Sequence, residues 1–380
     1  MEINETPVLL LTGYLGSGKT TLLNRILTNK KGIKFAVIVN DIGEVNIDAS
    51  LIEQGGMVGK KDDSLVPLQN GCICCTLKMD LVQQLSDIVS QHRFDYIVIE
   101  ASGICEPAPI AQTISAYPQM YPKLAENGRA RLDAIVTVCD ALRLRDEFAE
   151  GNDLRRKDLG EDDLASLVIQ QVEFCNMILL NKAAEVSPEE LDRITMILHQ
   201  IQPQAEIVPC NYGDVDLDKI LNTHLFNFER VATSARWIEA VEADEDDLEN
   251  EEEGEALEYG IGTFVYYRRK PMDMVEFDQF VARKWPKSVI RCKGMCYFGD
   301  ERDTCYVFEQ AGKQISMRNA GQWYATMPAD EFAEFSKQNP GVLRDWDSKY
   351  GDRMQKLVFI GQNMDRAAIE ADLDKCLLKE

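Results

Sequence analysis

Through the first 230 residues, short runs of consecutive apolar residues alternate with stretches whose apolar positions recur every three or four residues. The runs at 8–12, 35–40, 96–101, 134–140 and 177–182 are rich in Val, Ile and Leu and lack any in-and-out alternation. Such strands are buried on both faces, as happens when helices cover both sides of a parallel sheet. Segments 20–29, 80–89, 163–173 and 188–200 carry the helical spacing instead. Strand and helix taking turns in this way predict an α/β unit with a mostly parallel sheet.

The rhythm changes beyond residue 258. A strand is expected at 262–269, a helix at 272–285, strands at 289–298 and 304–310, a helix at 328–338, a strand at 356–361 and a helix at 366–378. Strands that neighbour one another in sequence, with helices inserted, predict a smaller α+β domain with an antiparallel sheet. Between the two patterns lies 242–258, with eleven acidic residues, no basic ones and almost no apolar content. A run of that composition cannot bury enough surface to fold and reads as a solvated linker. The expected division is therefore a domain at 1–230, an acidic linker at 231–258 and a second domain at 259–380.

The formal charge of the 380-residue chain is −23. Nucleic acid and anionic lipid are disfavoured as partners by a surface of that sign. Eleven of the negative charges belong to the acidic run, which leaves about −12 for everything else. No apolar run approaches the roughly 20 residues needed to span a bilayer, and residues 1–7 lack a signal-peptide pattern. A cytoplasmic location is expected, where the eleven cysteines serve as thiols and not as a disulfide framework.

Gly13-Tyr14-Leu15-Gly16-Ser17-Gly18-Lys19-Thr20 fits GxxxxGK[ST], directly after an expected strand and directly before an expected helix. Glycines let the backbone amides curl around phosphates, and the helix points its positive end at them. Lys19 is expected on the β and γ phosphates and Thr20 on Mg2+. The run ending at Glu100 delivers a carboxylate to the same edge of the sheet, for the magnesium and the attacking water, and Gly103 frees an amide to approach the γ phosphate. Asp41 and Glu44 form a further carboxylate pair at that edge.

Asn181-Lys182 follows the last apolar run where GTP-binding proteins carry Asn-Lys-x-Asp, whose Asp accepts two hydrogen bonds from guanine. The fourth position here is Ala184, with Glu185 next. GTP is the preferred nucleotide; ATP, with Asn181-Lys182 a polar strand end, stays open. Cys72, Cys74 and Cys75 put three thiols within four residues. Thiolates so close together suit zinc or copper(I), and the missing fourth ligand suits an ion that is handed on. A redox switch and plain burial are the alternatives. In the second domain Cys292 and Cys296 would stand about 13 Å apart along a straight strand. A turn centred on Asp300 and Glu301 would set Cys296 opposite Cys305, so that burial across strands is expected, with a second metal or redox site as the alternative.

Together, the phosphate loop, Asn40-Asp41-Ile42-Gly43-Glu44, the cysteine loop, Glu100-Ala101-Ser102-Gly103 with Glu106-Pro107, and Asn181-Lys182 resemble the CobW family of P-loop GTPases, metallochaperones related to the nickel-protein maturation GTPases. That resemblance covers most of the chain, since the family also carries a smaller C-terminal α+β domain. It implies phosphate and magnesium binding by Gly13 to Thr21, a magnesium and water site at Glu100, base reading by Asn181 and Lys182, and metal binding by Cys72, Cys74 and Cys75. The implied function is a nucleotide-gated carrier that hydrolyses GTP and delivers a metal, zinc first, to a client metalloprotein. The rival is a maturation factor for one metalloenzyme or cobalamin-pathway client, in which metal binding is incidental. Two departures stand out: Ala184 replaces the guanine-reading Asp, and an acidic run replaces the histidine-rich stretch many relatives carry between domains.

Overall fold

A computed structural model describes residues 5–28, 32–39, 65–67, 78–148, 162–233, 235, 238, 259–312, 314–343 and 346–379. Asp41, Glu44, Cys72, Cys74, Cys75 and the acidic run lie outside them. The chain divides into two compact units.

The first unit is built on a seven-stranded sheet in the order β3-β2-β4-β1-β5-β6-β7. Its strands are β1 (Glu5–Thr12), β2 (Phe35–Val39), β3 (Leu65–Pro67), β4 (Tyr96–Glu100), β5 (Arg129–Asp140), β6 (Met177–Asn181) and β7 (Glu206–Pro209). Every pairing is parallel. β2, β4 and β6 are buried at every position, which is why their apolar runs are unbroken. One core joins Leu9, Leu11, Val37, Val98, Val136 and Leu179 to Leu22, Leu23 and Ile26 of the first helix, α1 (Lys19–Leu27). Burying each such side chain contributes about 1.5–3 kcal/mol. The order places β1 centrally, between β4 and β5, so the loops after these three strands gather at one edge.

Two elements of this unit lack the expected signal. The helix Pro107–Met120 begins with Pro at its first position and carries Pro118 inside, which breaks the helical pattern on inspection. β7 is only half-buried at the sheet edge and has no apolar run.

The second unit is a five-stranded antiparallel sheet in the order β11-β10-β9-β12-β8. Its strands are β8 (Ile261–Arg268), β9 (Val289–Cys296), β10 (Thr304–Ala311), β11 (Gln314–Gln322) and β12 (Gln355–Gln362). Helices Met274–Lys284 and Arg366–Asp374 contribute Phe277, Phe280, Ile369 and Leu373 to a core with Phe264, Cys292, Phe308 and Phe359. The first of them starts at Met274 because Asp273 caps it, accepting from the amides of Val275 and Glu276 at 2.9 and 3.0 Å. β11 was not expected: none of its residues is buried, so no alternation marks it, and its backbone ladder with β10 alone makes it a strand.

The expected Cys296–Cys305 pairing is corrected by the register. Tyr306, not Cys305, stands opposite Cys296. Cys296 packs with Cys292 and Phe298, while Cys305 packs with Tyr297, Trp323 and Met354. A one-residue change in register reverses every side chain across the sheet. Among the described residues no helix is long and apolar enough to cross a membrane.

Candidate functional site

From Thr12 the chain turns through Gly13, Gly16 and Gly18, all at positive φ (132°, 83° and 111°), into α1. At Gly18 a Cβ would lie 2.2 Å from Asn181 Nδ2, so the neighbouring loop and the backbone both demand glycine there. Lys19 Nζ reaches back over the turn and donates to the carbonyls of Gly13 (2.7 Å) and Tyr14 (3.2 Å). Ser17 Oγ is buried and makes no hydrogen bond. Thr21 is exposed on the first turn of α1. An orphaned buried hydroxyl beside a lysine ammonium, at a helix N-terminus, fits a bound polyphosphate, which would supply the missing acceptor.

β4 lies beside β1 with Glu100 opposite Leu11. That register brings Thr20 Oγ1 to donate to Glu100 Oε1 at 3.1 Å, and Glu100 is buried. A hydroxyl and a carboxylate at one point are the hard oxygen donors that Mg2+ takes, and they fit that ion. The next loop presses on the phosphate loop: a Cβ on Gly103 would lie 2.7 Å from Leu15 N.

What holds that loop is Gln171, which sequence reasoning missed. Gln171 is fully buried on the helix Asp162–Glu173, and its Nε2 donates to the carbonyls of Gly103 (3.3 Å) and Cys105 (3.1 Å). The helix is tied to the sheet in turn, since Thr137 Oγ1 donates to the Gln171 carbonyl at 3.0 Å and touches Thr12 Oγ1 at 2.7 Å. The available signal was a glutamine among the apolar positions of a helix. Gln171→Leu is expected to remove the side-chain donor from both carbonyls, cost about 1–3 kcal/mol and lower turnover more than GDP affinity. Thermal unfolding alongside single-turnover and GDP-binding measurements checks this; equal losses in turnover and affinity would contradict it.

On the other side of the loop, β6 ends at Asn181, which is buried. Its Nδ2 donates to the Ser17 carbonyl (2.8 Å) and its Oδ1 accepts from Gly213 N (3.1 Å). Lys182 has φ 58° and pairs with Asp140, which also caps the helix Ala141–Glu147 by accepting from Arg143 N at 3.2 Å. Asp140, at the carboxyl end of β5, is a second residue the sequence reading passed over. The signal was present in a carboxylate ending a buried strand. Ala184 and Glu185 are both exposed in the 3-10 turn Ala183–Glu185.

A family model described as the CobW/HypB/UreG nucleotide-binding domain matches residues 7–209, and one described as the cobalamin synthesis protein cobW C-terminal domain matches 261–377. The chain belongs to the CobW/HypB/UreG family. It is 36% identical to a zinc-regulated GTPase metalloprotein activator 1 of Dictyostelium discoideum, over 98% of this chain and 80% of that protein. It is 31% identical to the zinc chaperone YjiA of Escherichia coli, over 62% of this chain and 66% of that protein. A solved structure of Zn(II)-bound YjiA GTPase from E. coli is 22% identical with a TM-score of 0.43, covering 99% of this chain and 100% of that one.

Within this CobW-type chain the described residues include eight cysteines, all buried and free. Burial raises the thiols of Cys305, Cys210 and Cys376 to about 11 and that of Cys175 to about 12. Buried thiols held that far from ionisation are inert packing groups. No cluster of three or more His, Cys, Asp or Glu among the described residues is placed to hold a metal.

Proposed function

We propose that this chain is a magnesium-dependent GTPase whose nucleotide state gates the delivery of zinc to a client metalloprotein. The observation that carries the nucleotide half is the 3.1 Å contact of Thr20 with buried Glu100 beneath the phosphate loop. Lys19 exchanges the carbonyls of Gly13 and Tyr14 for the β and γ phosphates. Ser17 Oγ and the loop amides donate to the remaining phosphate oxygens. Thr20 and Glu100 would hold a magnesium ion, which would neutralise charge on the phosphates. Glu100 also orients the attacking water, and Gln171 fixes the loop that carries Gly103 against the γ phosphate.

Zinc enters as cargo. Cys72, Cys74 and Cys75 supply soft thiolates, and the relatives named for zinc support that ion. In sequence the cysteine loop lies between the Asp41–Glu44 segment and Glu100, so segments responsive to the γ phosphate flank it. The acidic run between the two matched segments supports the reading of 231–258 as a linker. A carrier that depends on free thiols fits the reducing cytoplasm.

Coupling predicts that zinc affinity differs by about 5- to 150-fold between the GDP state and a nonhydrolysable GTP analogue, and linkage makes the effect reciprocal. Chelator competition on the full chain in both states measures it. Equal affinities would sink gating. Support of a client that persists after Cys72, Cys74 and Cys75 are replaced by Ser would favour the maturation-factor reading instead.

A further inference from the structure

The base end of the site departs from the guanine-reading pattern at one residue, and the neighbouring loop determines what that departure does. Ala184 stands where a carboxylate would accept from guanine N1–H and the 2-amino group. Glu185 does not replace it. In a 3-10 turn successive side chains are about 120° apart, so the Glu185 carboxylate leaves in a different direction from the Ala184 methyl.

The loop after β7 packs against this turn through two hydrogen bonds and against the end of β6 through a third. Ala183 N donates to Cys210 O at 3.1 Å, Ala184 N to Asn211 Oδ1 at 2.8 Å, and Gly213 N to Asn181 Oδ1 at 3.1 Å. Gly213, at φ 63°, leaves only 3.0 Å between a would-be Cβ and Leu22 Cα, which fixes the loop against α1. Because a backbone N–H must donate to the oxygen of the Asn211 amide, the orientation of that amide is settled. Its Nδ2 is the donor left over within bonding reach of this turn's surroundings, and among the described residues it makes no hydrogen bond. Asn211 is half-exposed. A hydrogen-bond donor therefore stands beside the position where the family pattern places an acceptor.

We propose that this chain reads the 6-position of the base, through Asn211, and does not read the 2-amino group. The inference rests on the nucleotide reading of the site and refines it. Guanine and hypoxanthine both offer a 6-oxo acceptor to the Asn211 amide, whereas adenine presents a 6-amino donor that opposes it. With a methyl at position 184, the 2-amino group that distinguishes guanine from hypoxanthine gains nothing. GTP selection over ATP thus hangs on one neutral hydrogen bond, and GTP and ITP become near equivalents.

Calorimetric titration of the full chain with GDP, IDP and ADP in the presence of Mg2+ tests this without hydrolysis. GDP and IDP are expected to bind within about fivefold of each other, and GDP about three- to tenfold more tightly than ADP. Ala184→Asp, at an exposed position, is expected to raise the GDP preference over IDP to between about tenfold and a hundredfold, since it adds a charged acceptor. Asn211→Asp keeps an oxygen for Ala184 N but turns the donor into an acceptor, and is expected to carry the GDP:ADP ratio below one. Glu185→Ala is expected to leave the GDP:IDP ratio unchanged. A wild-type GDP preference over IDP beyond fivefold, a drop in that preference with Glu185→Ala, or an unaltered GDP:ADP ratio in Asn211→Asp would each overturn the proposal while leaving the GTPase reading intact. Failure of all three diphosphates to bind would remove the GTPase reading itself.

Discussion

Lys19→Ala is expected to lower single-turnover GTP hydrolysis by about 10²- to 10³-fold, the loss that follows removal of one fixed positive or donor group aimed at developing charge. The ammonium of Lys19 already lies inside the phosphate loop, bonded to the carbonyls of Gly13 and Tyr14. It needs only to change acceptors when the phosphates arrive, so little reorganisation opposes its action. In the alanine variant the charge accumulating between the β and γ phosphates has no fixed partner on that side. The two carbonyls also lose their donor, and the loop loosens. Phosphate release from preloaded protein, with circular dichroism to show that the fold persists, checks the result. A rate within about threefold of wild type would mean that Lys19 does not act on the transferred phosphate.

The largest expected loss of stability comes from Asp133→Ala. Asp133 is fully buried on β5. It accepts from the Tyr96 hydroxyl at 2.6 Å, Thr223 N at 2.9 Å and His224 N at 2.8 Å. Replacing it leaves the fully buried Tyr96 hydroxyl and two part-buried amides without their acceptor, and about 3–5 kcal/mol is expected to be lost. Burial alone would raise the Asp133 carboxyl, but the bonds from Tyr96, His224 and Thr223, with Arg131 nearby, hold it below its usual range. A depressed carboxyl contributes stability that is fully present above its unfolded value near 4 and is lost as pH falls through the folded one. The wild-type chain should therefore lose more stability between neutral pH and the acid range than Asp133→Asn does. Urea unfolding of both across that range measures the difference; parallel curves would show that the charge of Asp133 contributes nothing. Because Asp133 lies toward the start of β5 and Asp140 at its end, folded Asp133→Asn should retain its GDP affinity.

Much of the site was legible because its chemistry is local. Gly13 to Thr20 are contiguous, and the task expected of each follows from its place between a strand and a helix. Glu100 was legible for a related reason, since an apolar run that ends in a carboxylate must deliver it to the edge where the run stops. Gln171 and Asn211 were not legible. Each acts on a partner brought near by the sheet, 68 positions away for Gly103 and 27 for Ala184, and nothing in the local pattern names that partner. β11 escaped notice for the opposite cause: an edge strand with no buried residue has no pattern to display.

By itself the sequence determined the types of most elements, the change from a parallel to an antiparallel unit, and the phosphate loop. Those follow from period, burial and backbone conformation within a few residues. Only the tertiary structure decided which loops share an edge. The order β4-β1-β5-β6 brings Glu100 to Thr20 and Asn181 to Ser17. The β9–β10 register separates Cys296 from Cys305. Strand order and register are set by the collective packing of whole faces, and so no short stretch of sequence carries them.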